Sequence, residues 1–95
     1  MDSKEFSYQL AKSLSEDLPF NFIIEDRDSY PILIFISDRD FPIPIGTYIE
    51  KNILSDGEYE VYLRINEIPY YNFGRVKEPY QISDKIIEYL FLQFV

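Results

Sequence analysis

The chain has 95 residues, no Cys, no His and a net charge of -8. Without Cys it forms no disulfide and no thiolate metal site, and without His it lacks the commonest general acid–base and metal ligand. At 46% hydrophobic it is not disordered by composition, and its length fits one domain spanning residues 1–95.

Residues 3–18 read as a helix. Phe6, Leu10, Leu14 and Leu18 recur every four residues, with Ala11 on the same stripe. Asp2 or Ser3 supplies the cap, Asp2 and Glu5 have capping-box spacing, and Pro19 ends the helix. Phe20 to Glu25 reads as a strand, followed by a turn at 26–29. Pro31 to Ser37 reads as a second strand, apolar on both faces, which calls for cover on each face and allows the helices to sit on opposite sides of the sheet. Residues 38–46 contain Pro42 and Pro44 and read as a loop or extended edge. Residues 47–57 fit either a two-turn helix or, slightly better, a strand that turns at Asp56-Gly57 into the next one. Residues 58–66 alternate, with Tyr59, Val61, Leu63 and Ile65 on one face and Glu60, Tyr62 and Arg64 on the other. Residues 67–81 hold Pro69, Gly74 and Pro79 among Tyr70, Tyr71, Phe73 and Tyr80, and read as an aromatic-rich loop or a short extra hairpin. Residues 83–95 read as the last helix, capped by Ser83 or Asp84, with an apolar surface wider than one stripe. The expected fold is therefore α+β: an antiparallel sheet of three to five strands with an N-terminal and a C-terminal helix packed on it.

The charge is unevenly placed. Residues 16–60 hold eleven carboxylates against three cations, which accounts for the whole net charge, while the rest of the chain balances. Such asymmetry implies a directed field. It argues against direct binding to nucleic acid or to an anionic membrane, whose phosphates need cations. The start of the chain, Met1 to Glu5, is polar and does not read as a signal peptide, and the longest apolar run is too short to span a bilayer. The expectation is a soluble cytoplasmic protein. The scarcity of Ala and Gly beside abundant Ile and Tyr suits an AT-rich source such as a phage or a low-GC bacterium.

Asp26 and Asp28 pair across Arg27, and Asp38 and Asp40 across Arg39, on turns expected at opposite ends of the sheet. Each pair offers hard oxygen ligands, yet neither turn has the spaced oxygens and bend glycine of a calcium loop, so no metal is expected. The eight serines have no His to activate them, and the three glycines are isolated from any phosphate-loop pattern. No cofactor and no catalysis are expected. Carboxylates on turns instead suit a non-catalytic module that covers the basic, nucleic-acid-binding surface of a partner protein, in the manner of an inhibitor or an immunity protein. The residues expected to carry this are Glu25, Asp26, Asp28, Asp38, Asp40, Asp56, Glu58 and Glu60. Tyr70, Tyr71 and Phe73 either join them or close the core. The alternative is a structural or assembly subunit, such as a virion component or a homo-oligomer built through the aromatic segment and the C-terminal helix.

Overall fold

The computed structural model describes residues 2–25, 33–38 and 43–94, and at Asp38 the main chain alone. Helix α1 spans Ser3–Asp17. Its start is set by Asp2, whose Oδ1 accepts the Glu5 N–H at 2.8 Å. Its end comes where Leu18 turns extended before Pro19, the Leu18 N–H still reaching the Leu14 carbonyl at 3.0 Å. The four-residue recurrence turns Phe6, Leu10, Ala11 and Leu14 inward, and all are buried.

Five strands follow as an antiparallel meander: β1 (Phe20–Glu25), β2 (Leu33–Asp38), β3 (Thr47–Ile53), β4 (Tyr59–Ile65) and β5 (Ile68–Val76), lying side by side in chain order. Helix α2 (Tyr80–Phe94) closes the described fold, which is α+β as expected. The hairpin reading of residues 47–57 holds, since Ile53 pairs with Tyr59 across the turn. The alternation of residues 59–65 also holds. Tyr59, Val61 and Leu63 are buried, whereas Glu60, Tyr62 and Arg64 occupy the other face at intermediate exposure.

One face of the sheet carries the core. Phe20, Ile34, Ile36, Ile49, Val61, Leu63 and Phe73 pack in a single cluster with Phe6, Leu10 and Leu14 of α1 and Ile82, Ile86 and Leu90 of α2. Each such side chain is worth roughly 1.5–3 kcal/mol when fully buried. Lys51 also points to this face between Ile49 and Ile53, and is only 1% exposed. The helices thus share one side and touch each other, rather than flanking the sheet. The second apolar face of β2 is closed differently. The Phe35 ring lies 5.3 Å from that of Tyr48 on β3, and Leu33 and Tyr48 are each 8% exposed without helical cover.

Two further readings are corrected. The aromatic segment, read as a loop or a short extra hairpin, is mostly one strand, β5, joined to β4 by the two residues Asn66 and Glu67. Both have positive φ, 51° and 70°, as a tight type I′ hairpin requires. Pro69 and Gly74 are tolerated because β5 is the sheet edge, and its register against β4 shifts twice. The last helix begins at Tyr80, three residues before Ser83. Its first N–H groups are met by main-chain carbonyls, Ile82 and Ser83 both donating to Pro79 O at 3.1 and 3.0 Å. Ser83 is buried instead of capping.

Two substitutions test local fit. A glutamate at positive φ costs roughly 1 kcal/mol that glycine avoids. Glu67→Gly is expected to raise stability by about that amount, because the Glu67 carbonyl that accepts the Arg64 Nη1–H at 3.1 Å is main chain and stays. A lowered urea midpoint would contradict the turn geometry. Ser7 is wholly buried on α1, and its Oγ has no hydrogen-bond partner among the described residues. Ser7→Ala removes that unmet hydroxyl and improves helix propensity, so it should stabilise by about 1 kcal/mol in the same assay. A loss of stability would reveal a partner for the hydroxyl.

Candidate functional site

The meander sends the β1–β2 and β3–β4 connections to one end of the sheet and the β2–β3 and β4–β5 connections to the other. The carboxylates divide accordingly. At the first end, Asp56 and Glu58 lie on the β3–β4 turn. Asp56 Oδ1 accepts the Glu58 N–H at 3.0 Å, and that bond holds the Asp56 carboxyl below its ordinary pKa, with Arg75 adding to the effect. Beside the turn stands Tyr59, its ring 4.3 Å from Phe6. Burial raises the Tyr59 phenol first, and the charges of Asp2 and Glu78 raise it further. Carboxylates from the start of α1 and the β5–α2 link therefore lie near Tyr59, at the end of the sheet that also carries the β3–β4 turn. Asp2 and Glu78 lie outside the acidic stretch of the sequence; only the tertiary fold brings them there.

A second group lies on the sheet face away from the helices. Glu25 ends β1 at intermediate exposure, across from Leu33, which in turn pairs with Glu50. The Glu50 carboxylate takes the Arg64 Nε–H at 2.5 Å, and the guanidinium also sits 5.7 Å from the Tyr62 ring centroid. Glu60 accepts from Arg75 Nε at 3.3 Å. Glu60, expected as a binding residue, thus already has a cation within the chain. The Glu60–Arg75 pair, exposed at Arg75, contributes little stability, but both pairs neutralise part of the face. The same face holds a depression of about 420 Å³ lined by Leu33, Phe35, Gly46, Tyr48, Asn66 and Glu67.

Asp38 is the last residue of β2, paired with Phe20 at the opposite end from Asp56. Asp26, Asp28 and Asp40, together with the repeated Asp-Arg-Asp turns, fall outside the described residues. Among the described residues, no three carboxylates group as a metal site needs. Also among them, no helix is long and apolar enough to cross a membrane.

The aromatic residues split by depth. Tyr70 is 53% exposed and Phe73 only 1%, so Phe73 closes the core and offers no outward surface. Tyr71 is intermediate in role. It is 39% exposed, yet its ring stacks on Tyr89 of α2 at 4.2 Å and meets Phe73 edge-on at 5.1 Å. Burial raises the Tyr89 phenol above its ordinary pKa. On α2 itself Tyr80, Phe91 and Leu92 stand exposed. Comparison of the chain with protein-family models, with curated proteins and with solved structures found no match.

Proposed function

We propose that the protein is a non-catalytic acidic binding module that covers a basic, nucleic-acid-binding surface of a partner protein. The observation that carries this reading is the placement of Asp2 and Glu78 near Tyr59, at the sheet end whose β3–β4 turn bears Asp56 and Glu58, on a chain whose net charge is -8. Anionic groups held at one end of a rigid sheet favour association with a cationic surface and speed it. The depression on the open face is lined by aromatic, aliphatic and amide groups with one carboxylate, which suits contact more than bond-making.

The test is capture of partners from the source cells at low salt, followed by competition. A captured basic protein should lose its nucleic acid when this protein is added. The affinity should fall steeply as ionic strength rises past the point where the screening length is about 8 Å. The triple variant Asp56→Asn, Glu58→Gln, Glu78→Gln should weaken the complex and flatten its salt dependence. A salt-insensitive complex, or a partner that keeps its nucleic acid, would remove this reading.

A second reading, an assembly subunit, is favoured by α2, where Phe91 and Leu92 are 52% and 72% exposed on a helix that already fills the core with Ile82, Ile86 and Leu90. Light scattering after size exclusion separates the two. A closed oligomer broken by Leu92→Glu supports assembly, and a strict monomer excludes it.

A further inference from the structure

The two edges of the sheet are built differently. Strand β5, at one edge, carries Pro69 and two register shifts, features that blunt an edge against further pairing. Strand β1, at the other, has the sequence Phe-Asn-Phe-Ile-Ile-Glu, with no proline, glycine or lysine, and stays in unbroken register with β2 over all six residues. Among the described residues, β1 pairs with β2 alone. Alternate peptide groups between Asn21 and Ile24 therefore point away from the sheet, as in any edge strand. Alongside runs a groove of about 420 Å³ between α1 and β1, lined by Tyr8, Ala11, Lys12, Ser15, Phe22 and Ile24.

We infer that β1 accepts an added strand, an extended basic segment of the partner protein, as the sixth strand of the sheet. This rests on the binding reading above and names how the partner docks. Main-chain hydrogen bonds along the edge supply the fit, and alternate side chains supply the selection. One set of ligand side chains enters the groove, whose floor is Ala11, Phe22 and Ile24 and whose wall holds Lys12, so that set is apolar. The other set faces outward beside Ile23, which is 60% exposed, away from Lys12 and the apolar floor, so on a chain of charge -8 that set carries the cations. A second copy of this chain is the poorer occupant, because two bodies of charge -8 repel each other.

The probe is a capped peptide of alternating valine and lysine, titrated into the whole chain at low salt while amide exchange is followed. The amides between Asn21 and Ile24 on the outer edge should become protected. Affinity should fall by roughly tenfold or more when alternate peptide amides are N-methylated, since that removes strand pairing and keeps the charge. It should also fall when threonine replaces lysine. Ile23→Pro should weaken binding similarly; because that variant can unfold, the N-methylated peptide on the wild-type chain is the deciding arm. Equal binding of the N-methylated peptide overturns strand addition and leaves the acidic-module reading standing. Equal binding of the threonine peptide overturns the basic occupant. Protection of β1 that grows with protein concentration alone assigns the edge to a second copy and overturns the proposal. Failure of every cationic peptide to bind overturns both the proposal and the function it rests on.

Discussion

Phe73→Ala is expected to destabilise the fold by about 3–5 kcal/mol, a large share of the roughly 5–15 kcal/mol that holds a small domain together. Val61 pairs with Gly74, but the next residue, Tyr62, pairs with Asn72, so Phe73 is the extra residue of a bulge with no partner opposite. The bulge turns its ring toward α2, where it meets Tyr89 edge-on at 5.5 Å and is 1% exposed. Its carbonyl accepts the Lys85 Nζ–H at 3.0 Å, so the strand and the helix are tied at the same point. Truncation leaves a cavity that neither a bulged strand nor a pinned helix collapses to fill. Phe73→Leu, which keeps most of the volume, should cost much less, about 1–1.5 kcal/mol. Tyr70→Ala, on an exposed neighbour, should stay within about 0.5 kcal/mol. Urea midpoints at constant slope measure all three. A Phe73→Ala variant as stable as Tyr70→Ala would show that the ring is not packed, and would return Phe73 to the surface where an interface residue belongs.

The contrast between those neighbours explains what the sequence could and could not disclose. Strand β4 was legible because its two faces meet different surroundings. Core and solvent impose strict alternation on Tyr59, Val61 and Leu63 against Glu60, Tyr62 and Arg64. Helix α1 was legible because a capping aspartate, a four-residue apolar stripe and a terminating proline agree. Strand β5 was not, because an edge strand meets solvent along most of its length. Its first five residues are all exposed, and its two register shifts break the period that marks a strand. The hairpin signal was also muted, since positive φ is supplied by Asn66 and Glu67 rather than by the usual Asn-Gly pair. The start of α2 was hidden for a related reason. Pro79 offers a carbonyl, not a side-chain cap, and no residue type advertises that.

The charge was legible in amount and not in place. A run of acids along a meander is dealt out alternately to the two ends of the sheet and to its open face. Asp56 and Glu58 therefore part from Asp38, while Glu50 and Glu60 find Arg64 and Arg75 from outside or beyond the run. The gathering of Asp2 and Glu78 beside Tyr59 depends on both helices lying on one side of the sheet, which local periodicity does not specify.

The second large effect is expected at Gly46, where replacement by alanine should cost about 2–3 kcal/mol. Two causes add there. Gly46 has φ +85°, a region that costs an alanine roughly 1–2 kcal/mol. A methyl group there would also collide with Asn66 Oδ1 and lie 3.2 Å from its Cγ. Asn66 cannot withdraw as a whole. Its N–H donates to the Gly46 carbonyl at 3.1 Å, and it occupies the first position of the tight β4–β5 turn. The contact thus locks the β2–β3 connection to the β4–β5 turn at the rim of the open-face depression. A double-mutant cycle separates the causes. In an Asn66→Gly background the side-chain clash is gone and the main-chain bond remains, so Gly46→Ala should then cost only the conformational share, about 1–2 kcal/mol. An equal cost in both backgrounds would mean that the Asn66 side chain swings aside freely and that dihedral strain alone is felt. A cost near zero in either would mean that Gly46 does not hold a left-handed conformation, and the two turns would not be joined through it.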